Sequence, residues 1–275
     1  MADTALVTGC SSGMGLHAAV ALAAAGMDVV ATMRDPARDG ELRAAAEAAG
    51  VSLTVQALDV TDDDAARDVV AAVAAEHGPV SVLVNNAGQG MVGTAEEISL
   101  DAVRAQLEVN YLAPVRLTQL VLPAMREAGR GRILTVTSVG GAVGQPFADA
   151  YCGSKFAVEG FMQSLSTVAH RHGVWVSVVE PAAVASSFVD NAVRHDGGGP
   201  YEAQLGAYLS RSAAAFAAAQ SAADAGRAIA EAATSPDYRF RWQTSPGAAA
   251  FVAMSLADGD GSQVFDATDA WTRTD

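Results

Sequence analysis

A tyrosine and a lysine stand four residues apart in Tyr151-Cys152-Gly153-Ser154-Lys155, within small and apolar residues that read as a helix. Four residues is one helical turn, so both side chains emerge on one face. A free phenol, with a pKa of about 10, is a poor acid–base catalyst at neutral pH. A neighbouring ammonium favours phenolate and lowers that value. The pair therefore suits a proton donor and the cation that tunes it. It also has an ordinary reading, with Tyr151 a core aromatic and Lys155 a solvated surface charge. Either stands on these five residues alone.

A second chemical signature lies near the start. Thr8-Gly9-Cys10-Ser11-Ser12-Gly13-Met14-Gly15 leaves an apolar run and enters a helical one. Gly9 permits the tight turn, Gly13 lets backbone approach a pyrophosphate, and Gly15 lets helix and strand pack closely. The helix N-terminus then offers N–H groups to phosphates. At the end of the second strand an acid would accept from the ribose diol and mark NAD. Met33 and Arg34 stand there instead. They leave room for a 2′-phosphate, which a guanidinium pairs with bidentately, and Ser11 adds a hydroxyl. NADP(H) is expected in preference to NAD. Asp35 is read as facing solvent or capping the next helix.

These groups need elements to position them. Continuous β-branched runs at 4–8, 28–33, 52–58, 80–85, 131–137 and 175–180 read as strands covered on both faces. Helical patterns lie between them at 14–25, 36–49, 62–77, 99–128 and 150–172. That alternation predicts an α/β fold, a Rossmann-type doubly wound parallel sheet of about seven strands with helices on both faces. Thr61 followed by three aspartates suits a helix N-terminus. Gly26, Gly50, Gly78, Gly129 and Gly173 each follow a helix, where a left-handed cap is needed. After Pro181 come a glycine-rich loop at 186–200, helices near 201–220 and 221–234, and a strand at 238–243. The tail, 257–275, reads as polar and mobile.

Bulk properties narrow the function classes. The 275 residues fit one domain, 1–275, better than two; 51% are hydrophobic and 17% charged, enough to bury a sizeable core. Net charge is −14, from 31 acids against 17 bases, which argues against a nucleic-acid partner. No basic amphipathic or long apolar segment suggests a membrane. An apolar strand follows Met1 directly, so no signal peptide is expected. Cys10 and Cys152 cannot build a disulfide framework and read as reduced thiols of a cytoplasmic protein. His17, His77, His170, His172 and His195 show no metal-ligand spacing.

The three-then-one glycine spacing resembles the short-chain dehydrogenase/reductase family in its single-domain form. Asn85-Asn86-Ala87-Gly88 after the fourth strand, Asn110 in the next long helix, Ser138 ending the fifth strand and the Tyr151/Lys155 pair extend the resemblance over most of the chain. The resemblance implies that Tyr151 exchanges a proton with a carbonyl or alcohol oxygen as hydride moves. Ser138 would hold that oxygen, Lys155 would bond the nicotinamide ribose, and Asn110 would hold a water linking Lys155 to solvent. Gly9, Ser11, Ser12, Gly13, Met14, Gly15, Arg34, Asp59, Val60, Asn86, Ala87, Gly88, Pro181, Val184 and Ser186 would line the cofactor with Tyr151 and Lys155; Asp59 has the alternative of capping the following helix. Ala182 departs from the family's glycine, and Ser186 replaces a threonine hydroxyl.

Closer similarity is to the branch containing estradiol 17-beta-dehydrogenase and retinol dehydrogenases, carried by Thr8–His17, Val29–Asp35, Ser138–Gly141 and Tyr151–Gly160. It implies a bulky apolar alcohol or ketone, steroid-, retinoid- or polyketide-like. Met91, Val92, Val143, Phe147, Phe188, Val189 and Tyr208 are candidates for its pocket or for plain core packing. Arg211 either meets a polar end of the substrate or pairs at the surface, and His195 is a weaker candidate for touching substrate. The region 186–220, with 186–200 as its mobile part, is the candidate lid. Relatives pair the helices at 99–128 and 150–172 between subunits, which implies a homodimer or homotetramer. Two other classes stay open: a cofactor-binding sensor or scaffold, and a non-redox enzyme on the same fold.

Overall fold

The computed structural model describes residues 3–186, 192–194 and 199–274. Seven parallel strands form the central sheet: β1 (Thr4–Thr8), β2 (Asp28–Met33), β3 (Thr54–Ala57), β4 (Val80–Asn85), β5 (Gly131–Val136), β6 (Val174–Glu180) and β7 (Arg241–Gln243). Their spatial order is β7-β6-β5-β4-β1-β2-β3, so the winding reverses between β1 and β4. At such a reversal the loops leaving neighbouring strands diverge and open a crevice at the carboxyl ends.

Strand residues alternate faces, and both faces are apolar. Ala5, Val7, Val29, Ala31, Val82 and Val84 pack one way, against α1 (Gly13–Ala24) and α8 (Ala222–Thr234). Leu6, Val30, Leu83 and Ile133 pack the other way, against α3 (Asp63–His77), α5 (Ala113–Glu127) and α6 (Asp149–His170). Each fully buried Val or Leu contributes roughly 1.5–3 kcal/mol. Helices α1 and α8 approach so closely that a Cβ on Gly226 would lie 2.5 Å from His17 Cβ. Gly26, Gly50, Gly78, Gly129 and Gly173 all take positive φ, as their positions after helices predict.

Several boundaries differ from the sequence reading. The segment 99–128 is not one helix: α4 (Leu100–Leu107) and α5 flank a π-helical turn at Glu108–Leu112. Pro114 has no N–H for the Asn110 carbonyl four residues back, and the Ala113 N–H bonds Glu108, five residues back. The segment 36–49 divides into a 3-10 turn, Pro36–Arg38, and α2 (Gly40–Ala48). Asp35 caps that turn by accepting from Ala37 N at 3.0 Å. The cap of α3 is Asp62, which accepts from Asp64 N and Ala65 N; Thr61 instead bonds Asp59. The strand expected at 52–58 is only Thr54–Ala57, and that at 238–243 only Arg241–Gln243.

Helix α7 (Glu202–Ala217) precedes α8 as expected, but the C-terminal part is ordered rather than a loose polar tail. Helix α9 (Pro246–Ala257) starts at Ser245, whose hydroxyl accepts from Ala248 N, with Pro246 preset for the first turn. Helix α10 (Ser262–Asp269) is held by Phe251 stacked on Trp271 at 5.8 Å and by Arg211 donating to the Ala270 carbonyl at 2.6 Å. Among the described residues no helix is long and apolar enough to cross a membrane.

Candidate functional site

The glycine turn between β1 and α1 sits at the winding reversal. Gly9 and Gly13 take φ of +72° and +64°, where side chains are strained. A Cβ on Gly15 would lie 2.2 Å from Asn86 Nδ2 and 2.5 Å from the Gly9 carbonyl. Thr8, which sequence reasoning did not single out, locks this turn to the loop after β4. Its hydroxyl accepts from Asn86 N and Ala87 N, both at 3.0 Å, while Asn86 Nδ2 donates to Thr8 O at 2.8 Å and Gly9 O at 3.1 Å. Asn86 thus braces the turn with its side chain. The first turn of α1, with its positive dipole end, suits an anion. Cys10 lies inside the turn, fully buried, its thiol pushed up to about 12 by burial.

The acid–base residues gather around the end of β5. Three consecutive residues there receive three side chains spaced by four along α6. Lys155 Nζ donates to the Val136 carbonyl at 3.0 Å, Thr137 Oγ1 donates to Glu159 Oε1 at 2.8 Å, and Ser138 hydrogen-bonds the Tyr151 hydroxyl. Lys155 is 4% exposed. Its Nζ lies 5.8 Å from the Tyr151 ring centre. The π-helical turn presents Asn110, whose Oδ1 accepts from Gln89 N at 2.9 Å. Asn110 Nδ2 donates to Gln89 O at 2.9 Å and to Ser154 Oγ at 3.0 Å. A Cβ built on Gly88 would lie 3.4 Å from Asn110 Oδ1 and 3.6 Å from Lys155 Nζ, so both atoms border one small space above that glycine.

The electrostatics correct one expectation. Burial pushes the Tyr151 phenol above its ordinary value; the Ser138 hydrogen bond acts against that push, and the ammonium does not reverse it. Burial also pulls Lys155 down to about 8, with Glu159 opposing. Glu159 is itself pushed up, to about 7, by burial and by Glu180, against the pull of Arg241 and Thr137.

At the far end of the crevice, Met33 is buried and Arg34 exposed, as the sequence suggests for a 2′-phosphate site. Leu58 N bonds Met33 O at 2.9 Å, bringing Asp59 beside them. Asp59 accepts from Thr61 N at 2.9 Å and Thr61 Oγ1 at 2.7 Å, and these bonds, more than Arg34, hold its carboxyl below the usual range. Val60 is buried, and its carbonyl accepts from Arg116 at 2.7 Å. On the other flank the Pro181 carbonyl accepts from Val139 N at 2.9 Å, and Val184 pairs with Gln220. Ser186 Cβ would lie 3.3 Å from a Cβ on Gly13, so this segment closes over the glycine turn.

On the substrate side, Met91 and Val143 are buried, and Phe147 rests on Tyr208 with ring centres 5.7 Å apart. Phe147 takes φ of +59° and its carbonyl receives Gly93 N at 2.9 Å, an unfavourable backbone for a bulky residue. Val92 pairs with Arg194 through backbone. Arg211 donates to the Ala270 carbonyl at 2.6 Å, and among the described residues it makes no salt bridge. Phe188, Val189 and His195 lie outside the described residues, as do 187–191 and 195–198 of the expected lid. Among the described residues no group of three or more His, Cys, Asp or Glu is placed to share a metal.

Residues 3–197 match the family model described as short chain dehydrogenase. Retinol dehydrogenase 8 of Bos taurus is 44% identical over 195 residues, 68% of this chain and 62% of that protein. The 17-beta-hydroxysteroid dehydrogenase type 1 of Mus musculus is 43% identical over 199 residues, covering 70% and 57%. The chain thus spans about three fifths of the length of these curated relatives. Among solved structures, a short-chain dehydrogenase from Streptomyces avermitilis superposes with a TM-score of 0.82 at 30% identity, covering 100% of this chain and 98% of the other. A metagenomic short-chain oxidoreductase in complex with NADP gives 0.69 at 29% identity, covering 88% and 95%.

Proposed function

The chain belongs to the short chain dehydrogenase family, and from that premise we propose that it is an NADP(H)-dependent oxidoreductase interconverting a secondary alcohol and a ketone on a bulky apolar substrate. The reading rests on one observation: Tyr151, Ser138, Lys155 and Asn110 converge within reach of a glycine cradle at the sheet reversal. The cradle suits a dinucleotide because side chains are excluded from Gly9 and Gly15, which leaves the backbone open to a pyrophosphate. Ser11, Ser12, Gly13 and Met14 would face the phosphates, and Arg34 the 2′-phosphate. Asp59 and Val60 would flank the adenine, with Ala87, Gly88, Pro181, Val184 and Ser186 along the nicotinamide half.

When bound, NADPH supplies hydride to a carbonyl carbon, and NADP accepts it in reverse. Tyr151 Oη gives its proton to the carbonyl oxygen, so that hydride and proton together complete the alcohol. Burial keeps the phenol protonated before the reaction, which suits a donor. The Ser138 hydroxyl, already bonded to Tyr151, steadies the same oxygen as charge develops. Lys155 would hold the ribose and stabilise the phenolate left behind, and Asn110 would hold the water through which the proton is resupplied. A bulky apolar substrate is proposed from the names of the two curated relatives, with Met91, Val143, Phe147 and Tyr208 as the apolar residues assigned to it.

Leu112 and Phe156 are 43% and 47% exposed on the π-helical turn and α6, apolar surface that favours a homodimer or homotetramer. Free, buried Cys10 and Cys152 suit a reducing, cytoplasmic setting. The test is Tyr151→Phe: NADPH binding, read by its fluorescence, stays within about twofold, while oxidation of NADPH by a panel of apolar ketones falls by at least about 100-fold. Undiminished turnover refutes the assignment. Binding without oxidation by any ketone in the native chain favours a sensor instead.

A further inference from the structure

Behind the acid–base row lies a buried charge cluster that the mechanism above does not use. Glu159 and Glu180 side chains are 3% and 0% exposed, and both meet the guanidinium of Arg241. Gln243 donates to the second oxygen of Glu180, and Thr137 to Glu159. The loop after Ser138 closes over this group, since a Cβ on Gly141 would lie 2.3 Å from Glu159 Oε1. Two carboxylates and one guanidinium leave one negative charge inside the protein, where an unpaired charge is heavily penalised. The only buried cation still to be counted among the described residues is Lys155, one helical turn before Glu159 on α6. With it the cluster sums to zero.

We propose that Glu159 is a positioning residue of the site, the buried counter-charge of Lys155, fixed in place by Thr137 and Arg241. Its connection to the chemistry rests on the oxidoreductase reading, in which Lys155 must be an ammonium. The geometry supports it directly, because Val136, Thr137 and Ser138 hold Lys155, Glu159 and Tyr151 as one row. The groups that face the cluster are Tyr151, Lys155 and Glu159 from α6, Asn110 from the π-helical turn, Glu180 from β6 and Arg241 from β7. Burial draws Lys155 down to about 8 and Glu159 draws it back up. Removing the carboxylate charge therefore lets the ammonium deprotonate at lower pH. Glu159→Gln leaves Arg241 and Glu180 as a neutral pair, so the fold keeps its main buried ion pair.

Lys155 is the sole lysine of the chain, so lysine labelled with carbon-13 at Cε gives a single side-chain resonance. Its titration midpoint reads the ammonium without cofactor or substrate. In Glu159→Gln the midpoint falls by about one pH unit; Glu159→Asp restores part of the shift. Thr137→Val, which removes only the hydroxyl holding the carboxylate, moves it less in the same direction. The alkaline limb of kcat for ketone reduction moves down with the midpoint, about a tenfold loss at high pH. A midpoint that is the same in the native chain, Glu159→Gln and Thr137→Val overturns the proposal. A shifted midpoint with no ketone reduced by either form upholds the electrostatic coupling of Glu159 to Lys155 and refutes the oxidoreductase reading.

Discussion

Gly15→Ala tests whether the cofactor cradle is built as the coordinates indicate. The new Cβ would lie 2.2 Å from Asn86 Nδ2 and 2.5 Å from Gly9 O, far inside normal contact. The Asn86 amide can swing aside only by giving up its bonds to Thr8 O and Gly9 O, about 1 kcal/mol each. Gly9 O is backbone and can retreat only with the whole turn, an overpacking cost of about 2 kcal/mol. Replacing glycine in a helix returns about 1 kcal/mol. The net loss is about 3 kcal/mol, which lowers Tm by roughly 5 °C in a domain this size. Distortion of the phosphate cradle also raises the NADPH Kd more than tenfold, readable by fluorescence titration. Gly226→Ala presses on His17 and on the Ala18 backbone of the same helix, two residues past Gly15, and is expected to lower Tm as well. Gly206→Ala, with nothing within 4 Å, gains stability by up to about 1 kcal/mol. If Gly15→Ala keeps both Tm and Kd, the cradle has been misread.

Arg34→Ala removes the guanidinium assigned to the 2′-phosphate; the ratio of NADPH to NADH affinity falls at least about tenfold, and an unchanged ratio removes Arg34 from that role. Stability should respond to the buried pair. Glu159 is raised from 4.5 to about 7, so its contribution is full below pH 4.5 and lost as pH rises through 7. Lys155 is depressed from 10.5 to about 8, so its contribution is present above 10.5 and lost as pH falls through 8. The native chain therefore loses, between pH 5 and 7, on the order of 2 kcal/mol that Glu159→Gln does not lose; parallel Tm curves for the two contradict this. Phe147→Ala removes the ring lying on Tyr208 and keeps the strained backbone. It raises KM for apolar ketones about tenfold and costs about 1–2 kcal/mol of stability; an unchanged KM places Phe147 outside the substrate wall.

What was legible in the sequence was local chemistry. Continuous β-branched runs announce doubly covered strands, and a glycine after each helix announces the reversal of the chain. Tyr151 and Lys155 declare a shared face through spacing alone. The π-helical turn was hidden because 99–128 keeps one apolar period throughout, and only Pro114 hints at the missing bond. Thr8 was missed because a threonine ending a strand is unremarked until the loop after β4 is brought onto it. Glu159, Glu180 and Arg241 lie up to 82 residues apart, and no local pattern joins them. The tail reads as polar, yet Trp271 and Phe251 find each other across a turn and order it. The tuning of Tyr151 was misjudged for a physical reason: spacing reveals the neighbouring ammonium, but only the fold reveals how completely both groups leave water.

That last point changes how the row of residues works. In water, an ammonium at this distance would lower a phenol modestly; inside the protein the desolvation of each charge is the larger quantity. A phenol kept protonated by burial is ready to donate, and its anion becomes accessible only when the ammonium beside it is fully charged. If Glu159 is the counter-charge of that ammonium, as proposed, Arg241 fixes it in place while also meeting Glu180. On the proposed reading, the Tyr151 hydroxyl is the outermost member of a row of polar side chains that ends on β7, an edge strand of the sheet. Without β7, Glu159 and Glu180 would face each other unpaired, Glu159 would take up a proton, and Lys155 would lose its counter-charge. On the proposed reading, Arg241 thus supports acid–base chemistry through Glu159, 82 residues earlier in the chain.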